Sequence, residues 1–235
     1  MLAARFFGRY EAALASNPVP TKMVTGGLLW GLGDAVAQAG TAEPMDAARL
    51  GRAVVYGTAI HAPVAHVHYE FLEAFVQRFR VSAGAAPIVK LVMEQFVYWG
   101  WLSNALYHFS MATMEGYGVT DSVQRVNDRL WPTMKSQYVS FPSFFGICVG
   151  LRRIPSRPSF VKERESLTSF LPRWAFWIPV QYLNFKFVPV RHQLGVVLAT
   201  SVAWCSFLSL TFNAKEETTT TTTQKDATDA PGKQK

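Results

Sequence analysis

Long uncharged stretches alternate with short charged ones along this chain, and their lengths set the first expectations. Between Arg191 and Lys215 lie 23 consecutive uncharged residues, HQLGVVLATSVAWCSFLSLTFNA. Between Glu94 and Glu115 lie 20 more, QFVYWGWLSNALYHFSMATM. Ala53 to Tyr69 gives 17, continued by the helical pattern of FLEAFV, and Val24 to Gly40 gives 17 interrupted by Asp34 alone. At about 1.5 Å per residue, the longest of these reach across a hydrocarbon layer roughly 30 Å thick. An unpaired charge in such a layer costs several kcal/mol, so helices cross where charges are missing.

The pattern predicts an all-α fold: a polytopic membrane helix bundle of four to five transmembrane helices within residues 23–213, at 24–40, 53–77, 88–114, 130–151 and 192–213. Pro132, Lys135 and Pro142 make 130–151 the ambiguous member. Buried core helices of a soluble protein are the alternative. Connection charges help to decide. Lys and Arg minus Asp and Glu gives +2 for residues 1–22, 0 for 41–52, +3 for 78–90, −1 for 115–129 and +4 for 152–173. With five crossings, and with residues 174–189 lying in the interface, the basic connections share one side, as the positive-inside pattern requires. With four crossings the +4 connection falls on the opposite side.

The flanks differ from the body. At the amino terminus, residues 1–22, Leu2, Phe6, Tyr10 and Leu14 recur every fourth residue beside Arg5 and Arg9, the pattern of an amphipathic helix at a membrane surface. Glu11 departs from the acid-poor composition of a mitochondrial transit peptide. Residues 214–235 hold a run of six threonines, four basic and four acidic residues, and no apolar residue larger than Ala. That tail is expected to be disordered.

Composition agrees with this division. Hydrophobic residues make up 49% of the 235 and charged residues only 17%, against about a quarter in ordinary soluble domains. Cys148 and Cys205 stand far apart without metal-type spacing, and the chain has no N-x-S/T acceptor, so nothing points to the secretory route.

Candidate chemistry is confined to the few polar positions inside apolar segments. Gly27, Gly31, Ala35 and Ala39 recur at i+4, as do Gly195, Ala199 and Ala203, so Gly27, Gly31 and Gly195 are the helix-packing candidates. Asp34 and Gln38 share about the face of Gly27 and Gly31, which aims the carboxylate into the bundle. With Glu94, Gln95, Gln181 and Asn184 they are the candidates for lining a wet path, where an acidic lining would favour cations. Glu70 and Glu73, at a segment end, could equally snorkel to water. His61 and His68 share a face at i+7, but no histidines of that segment form the i+3 or i+4 pair of helical metal sites, so no metal site is expected. No GxSxG, HExxH, P-loop or complete GxGxxG occurs, so neither a catalytic residue nor a cofactor is assigned. The basic cluster Arg152, Arg153, Arg157, Lys162, Arg164 and Arg173 lies between apolar segments and suits an anionic lipid surface better than nucleic acid.

The carboxyl-terminal run WAFWIPVQYLNFKFVPVRHQLGVVLATSVAWCSFLSL resembles the signature of the Mpv-seventeen and twenty-two-kilodalton peroxisomal membrane protein family, through Trp174, Trp177, Gln181, Asn184, Phe185, Val188, Pro189, Trp204, Leu208 and Ser209. Pro20, Thr21, Lys22, Gly33, Asp34 and Gln38 look like its first segment; Pro63, His66, Tyr69 and Leu72 like its second; Lys90, Glu94 and Gln95 like its K-x-x-x-D-Q. Pro179 falls one position late, Glu94 stands for Asp, and Arg191 follows Pro189 by two residues rather than four. About 35 residues, including RLWPTMKSQYVSFPSFFGICVGLRR, stand where the family has a short connection, and the usual four spans become five only through them. The resemblance implies a multi-pass protein of the mitochondrial inner membrane or of the peroxisomal membrane, a weakly selective channel for small metabolites or ions. It also implies a link to mitochondrial DNA maintenance, without direct nucleic-acid binding. The lipid bilayer, the transported solute and a second copy of the chain are the partners expected. A non-conducting scaffold that binds lipid or partner proteins through the small-residue faces is the rival expectation.

Overall fold

The computed structural model describes residues 2–41, 43–148 and 176–207. Among them every regular element is helical. Helix α1, Leu2–Ser16, is followed after Asn17 by α2, Pro18–Ala39, whose prolines sit in the first turn, where a missing N–H costs nothing. Asp46 caps α3, Ala47–Val55, by accepting from the Arg49 backbone N–H at 2.9 Å. That bond holds the Asp46 carboxyl below the usual carboxylate range.

From α3 the chain passes without a break through a π-helical turn, Tyr56–His61, into α4, Ala62–Arg78. The widening falls just before Pro63, whose absent N–H interrupts the regular ladder. A second π-helical turn, Met93–Val97, joins α5, Ala86–Val92, to Tyr98, where φ −143° and ψ −35° end the run before α6, Trp99–Met114. Gly116, at φ +92°, turns the chain into α7, Val119–Cys148. Helices α8, residues 176–187, and α9, residues 190–207, complete the described chain.

The uncharged stretches and the helices therefore do not coincide throughout, although 24–39 lies within α2 and 192–207 within α9. The 95–114 stretch is broken at Tyr98, leaving 16 residues in α6. The helix carrying 53–77 starts six residues earlier, at Ala47, and takes in Arg49 and Arg52. Helix α7 begins at Val119 and takes in Asp121, Arg125, Asp128 and Arg129 from what the charge pattern marks as a connection. No described helix is by itself long and apolar enough to cross a membrane. The 214–235 tail, the basic stretch 152–173, and residues 149–151, 174–175 and 208–213 of the predicted segments lie outside the described residues.

Packing is tightest where side chains are smallest. A Cβ on Gly26 would come 2.7 Å from the Gly57 carbonyl oxygen and 2.9 Å from Ala62 Cβ, one on Gly27 would collide with Thr58, and one on Gly31 would lie 2.7 Å from Val54 Cγ2. The small-residue face of α2 is thus taken up within the chain, against α3 and the first π turn. Around it Ala62, Ala65, Tyr69 and Leu72 of α4, Phe185 of α8, and Leu194 and Leu198 of α9 form the core, with Trp30, Leu91 and Trp99 against it.

Polarity is partly inverted. Lys22, Gln38, His68, Lys90, Glu94, Gln181, Asn184 and Gln193 are all buried. Val24, Leu28 and Leu32 of α2, Val67 and Phe71 of α4, and Leu183 and Phe187 of α8 point outward, Leu28 at 69% exposure. Soluble proteins scatter single apolar residues on their surface, whereas here they form stripes at helical spacing.

Candidate functional site

Among the described residues, two of the cavities have charged or amide groups in their linings, and each draws its polar groups from a different kind of local structure. The inner one, about 160 Å³, is lined by Tyr69, Glu94, Gln95, Ser103, Asn104 and Gln181 among others. Its centre is Glu94, 2% exposed, which the second π turn carries inward. Glu94 Oε1 accepts from Gln181 Nε2 at 2.6 Å and from Tyr69 Oη at 3.4 Å, and Oε2 from Gln95 Nε2 at 3.4 Å. The nearest cationic candidate, His68 Nε2, is 3.9 Å away. Neutral donors from α4, the π turn and α8 therefore surround this carboxylate.

Behind Gln181 the network continues into the α8–α9 junction. Asn184 Nδ2 donates to Gln181 Oε1 at 3.2 Å and to the Gln193 carbonyl at 3.3 Å, while Gln193 Nε2 donates to the Val188 carbonyl at 3.0 Å. Pro189 leaves the backbone at this junction short of a donor, and the amide side chains bridge the gap. His68 Nδ1 meets Tyr98 Oη at 2.7 Å, and its ring stacks on Trp99 with centroids 3.8 Å apart.

The outer cavity, about 510 Å³, opens at the end of the bundle where α2 meets α3 and α6 meets α7. Charged groups line it: Asp34, Arg49, Arg52, Glu115, Arg125 and Arg129. Asp34, its side chain 13% exposed, accepts from Arg49 Nε at 2.8 Å and from Gln38 Nε2 at 2.7 Å. Glu115 accepts from Arg125 Nη1 at 2.6 Å, and the Arg125 guanidinium lies over the Tyr117 ring at 5.2 Å. Arg52 stands 3.9 Å from Asp46.

His61 and Val197 line both cavities, which adjoin across these two residues. His61 ends the first π turn and packs edge-on against Trp30, centroids 5.2 Å apart. Among the described residues His61 Nδ1 and Trp30 Nε1 find no hydrogen-bond partner, and both atoms are buried.

The sequence candidates separate accordingly. Glu94, Gln95 and Gln181 converge on the inner cavity with Asn184 directly behind, and Asp34 lines the outer one. Gln38 lines neither: its Oε1 accepts from the Asp46 N–H at 2.6 Å and its Nε2 donates to the Asp46 carbonyl at 3.2 Å, which fixes the turn between α2 and α3. Gly27 and Gly31 set the approach of α2 to α3, while a Cβ on Gly195 would make an ordinary 3.6 Å contact with Tyr10 Oη. Among the described residues no three His, Cys, Asp or Glu side chains gather as a metal would need. Glu73 and Glu70 face cations rather than bulk water alone. Glu73 pairs with Lys90, and Lys22, 3% exposed, reaches His66 Nδ1 at 2.9 Å with Glu70 beside that ring. Burial lowers the Lys22 pKa from the ordinary lysine value, partly opposed by Glu70.

Sequence reasoning missed the four arginines and the place where the cavities adjoin. Arg49 and Arg52 stand at i+3 and Arg125 and Arg129 at i+4, each pair on one helical face, but they fall in connections whose net charges are 0 and −1. Spacing within the helix, rather than the sum over the connection, was the signal available.

Known proteins give the same picture from another direction. Residues 163–209 match the model of the Mpv17 / PMP22 family. Protein SYM1 of Eremothecium gossypii is 28% identical over 87% of this chain and 94% of its own length. Protein SYM1 of Candida albicans is 26% identical over 89% of this chain and 98% of its own, and that of Saccharomyces cerevisiae 23% identical over 85% and 86%. No solved structure matches. The resemblance read from the residues therefore holds: over most of its length this chain is similar to the SYM1 proteins, and over residues 163–209 it carries the pattern of the Mpv17 / PMP22 family.

Proposed function

We propose that this protein is a multi-pass protein of an organellar membrane, the mitochondrial inner membrane or the peroxisomal membrane, and that it provides a weakly selective passage for small metabolites or ions without catalysing a reaction. One observation carries the reading: two cavities with charged or amide groups in their linings adjoin across His61 and Val197 inside a bundle whose outer surface bears apolar stripes. Lipid can cover Leu28, Leu32, Val67 and Phe71, while buried carboxylates and amides keep the interior wet. The 95–114 and 53–77 stretches reach across in this reading as jointed helices, with His61 of the first π turn and Glu94 and Gln95 of the second lining a cavity.

The test is reconstitution of the purified protein into liposomes loaded with uncharged and charged solutes of graded size. Small solutes are expected to leave and large ones to stay. Complete retention of every solute by inserted, folded protein would overturn the passage and favour the non-conducting scaffold.

A further inference from the structure

The carboxylate of the inner cavity is held differently from the other buried or half-buried acids of the bundle. Among the described residues that line this cavity, Glu94 is the only Asp, Glu, Lys or Arg, and it is 2% exposed. Asp34 is met by Arg49 at 2.8 Å and Glu73 by Lys90, whereas Glu94 accepts from an amide at 2.6 Å and from a phenol and a second amide at 3.4 Å, all neutral donors. His68 does not supply the missing charge within hydrogen-bond reach. Its Nε2 stops 3.9 Å from Glu94 Oε1 and bonds nothing among the described residues, while its Nδ1 meets Tyr98 Oη at 2.7 Å. A neutral ring protonated at Nδ1 satisfies those contacts, and a second proton on Nε2 would be buried with no acceptor in reach.

The amides of the lining add acceptors to this carboxylate. Asn104 Nδ2 is turned to the Gly100 carbonyl at 2.6 Å and Gln95 Nε2 to Glu94, which leaves Asn104 Oδ1 and Gln95 Oε1, with Ser103 Oγ, as oxygens of the lining. The rings of Tyr69 and Trp99 complete the wall, and aromatic faces attract cations. At about 160 Å³ the cavity falls below the roughly 300–1,000 Å³ of metabolite-sized sites, so its occupant has few heavy atoms. No three His, Cys, Asp or Glu side chains gather among the described residues, which counts against a divalent metal. A buried carboxylate needs a positive partner or a full set of strong donors, and a small cation among these oxygens is such a partner.

We propose that the inner cavity is a binding site for a small monovalent cation, a potassium ion or a primary ammonium, held by Glu94 with the oxygens of Gln95, Ser103 and Asn104. The inference concerns binding and does not rest on the passage reading, since a protein that passes no solute would hold the same ion.

The test is thermal unfolding of the purified protein in detergent, followed in potassium, methylammonium or tetraethylammonium chloride at equal ionic strength. A ligand that binds only the folded state raises the midpoint as its concentration passes Kd. Potassium or methylammonium is expected to raise it above the value in tetraethylammonium, whose ethyl arms are too bulky for the cavity. A rise with potassium alone assigns the bare ion, a rise with methylammonium alone assigns the ammonium, and no rise with either overturns the site. Glu94→Gln should raise the Kd drawn from these shifts by about tenfold or more, because contacts to a charged group are worth that much. Glu43→Gln, which removes an exposed carboxylate instead, should leave it unchanged. Equal shifts in wild type and Glu94→Gln would overturn the proposal. If Glu94→Gln does not fold, Asn104→Asp decides: a second carboxylate in the same lining should tighten binding by about tenfold, and unchanged or weaker binding would sink the site. His68→Gln covers the remaining rival, because a potassium or methylammonium shift that appears only in this variant would make the imidazolium the true partner of Glu94.

Discussion

The two chambers hold their carboxylates in opposite ways. In the outer chamber Asp34 and Glu115 sit at helix ends, each beside an arginine that stays 52% and 32% exposed, so water shares the work. In the inner chamber Glu94 is 2% exposed and meets amides and a phenol drawn from elements far apart in sequence. A rim carboxylate tolerates one loose partner because solvent supplies the rest. A buried one needs several fixed donors, and every donor that serves it becomes committed to the fold. The rim can thus vary its charge at small cost to stability, while the inner site ties function to the integrity of the bundle.

Substitutions can break or sharpen that contrast, and they rank by size. Gly26→Leu attacks the close packing of α2 on the first π turn and the start of α4, because its side chain would run into the Gly57 carbonyl. A loss of about 3 kcal/mol is expected, seen as early thermal unfolding in detergent and open access to protease. Glu94→Ala strands Gln181 and Tyr69 and should cost about 1–3 kcal/mol, while Glu94→Gln should recover much of it. If both variants unfold like wild type, the inner network is not structural. Asp34→Asn keeps an acceptor for Gln38 but removes the charge opposite Arg49; at this part-exposed rim it should change stability by less than about 1 kcal/mol while shifting ion preference. Equal losses for Glu94→Ala and Asp34→Asn would erase the difference between the chambers.

The smallest effect concerns acid. The folded Asp46 carboxyl is held below its ordinary pKa by the Arg49 N–H, so its contribution is complete above the unfolded value near 3.9 and disappears as pH falls through the lower folded value. Asp46→Asn keeps a side-chain cap that does not titrate. Its unfolding midpoint should therefore fall less steeply than that of wild type below about pH 4, as measured by circular dichroism across a pH series.

Much of this was legible in the residues. Glycines at i+4 on α2 announced close helix approach, and charges isolated in apolar stretches, Asp34 and Glu94, marked the two chambers. What stayed hidden follows from helical geometry. A 3.6-residue period cannot foresee a π turn, which adds a residue to the turn and rotates everything after it. His61 and Glu94 both come from such turns. Gln38 looked like a lining group and instead closes a turn, because an amide one helical turn beyond Asp34 reaches the backbone of the loop that follows. The arginines were cancelled by neighbouring acids in the sums, although only their own helical faces decide what they line.

Helix α1 leads to a point about how the molecule is made. Glu11 binds Arg191 at 3.4 Å and His192 at 3.1 Å, and Leu14 is 2% exposed, so a helix synthesised long before α9 finds its charged partners there. During translation those partners do not yet exist. For that interval α1 is an unclaimed amphipathic helix, open to whatever machinery or membrane surface recognises one, and completion of α9 withdraws it. A single segment is in this way unpartnered while the chain is being built and a clasp once α9 is finished.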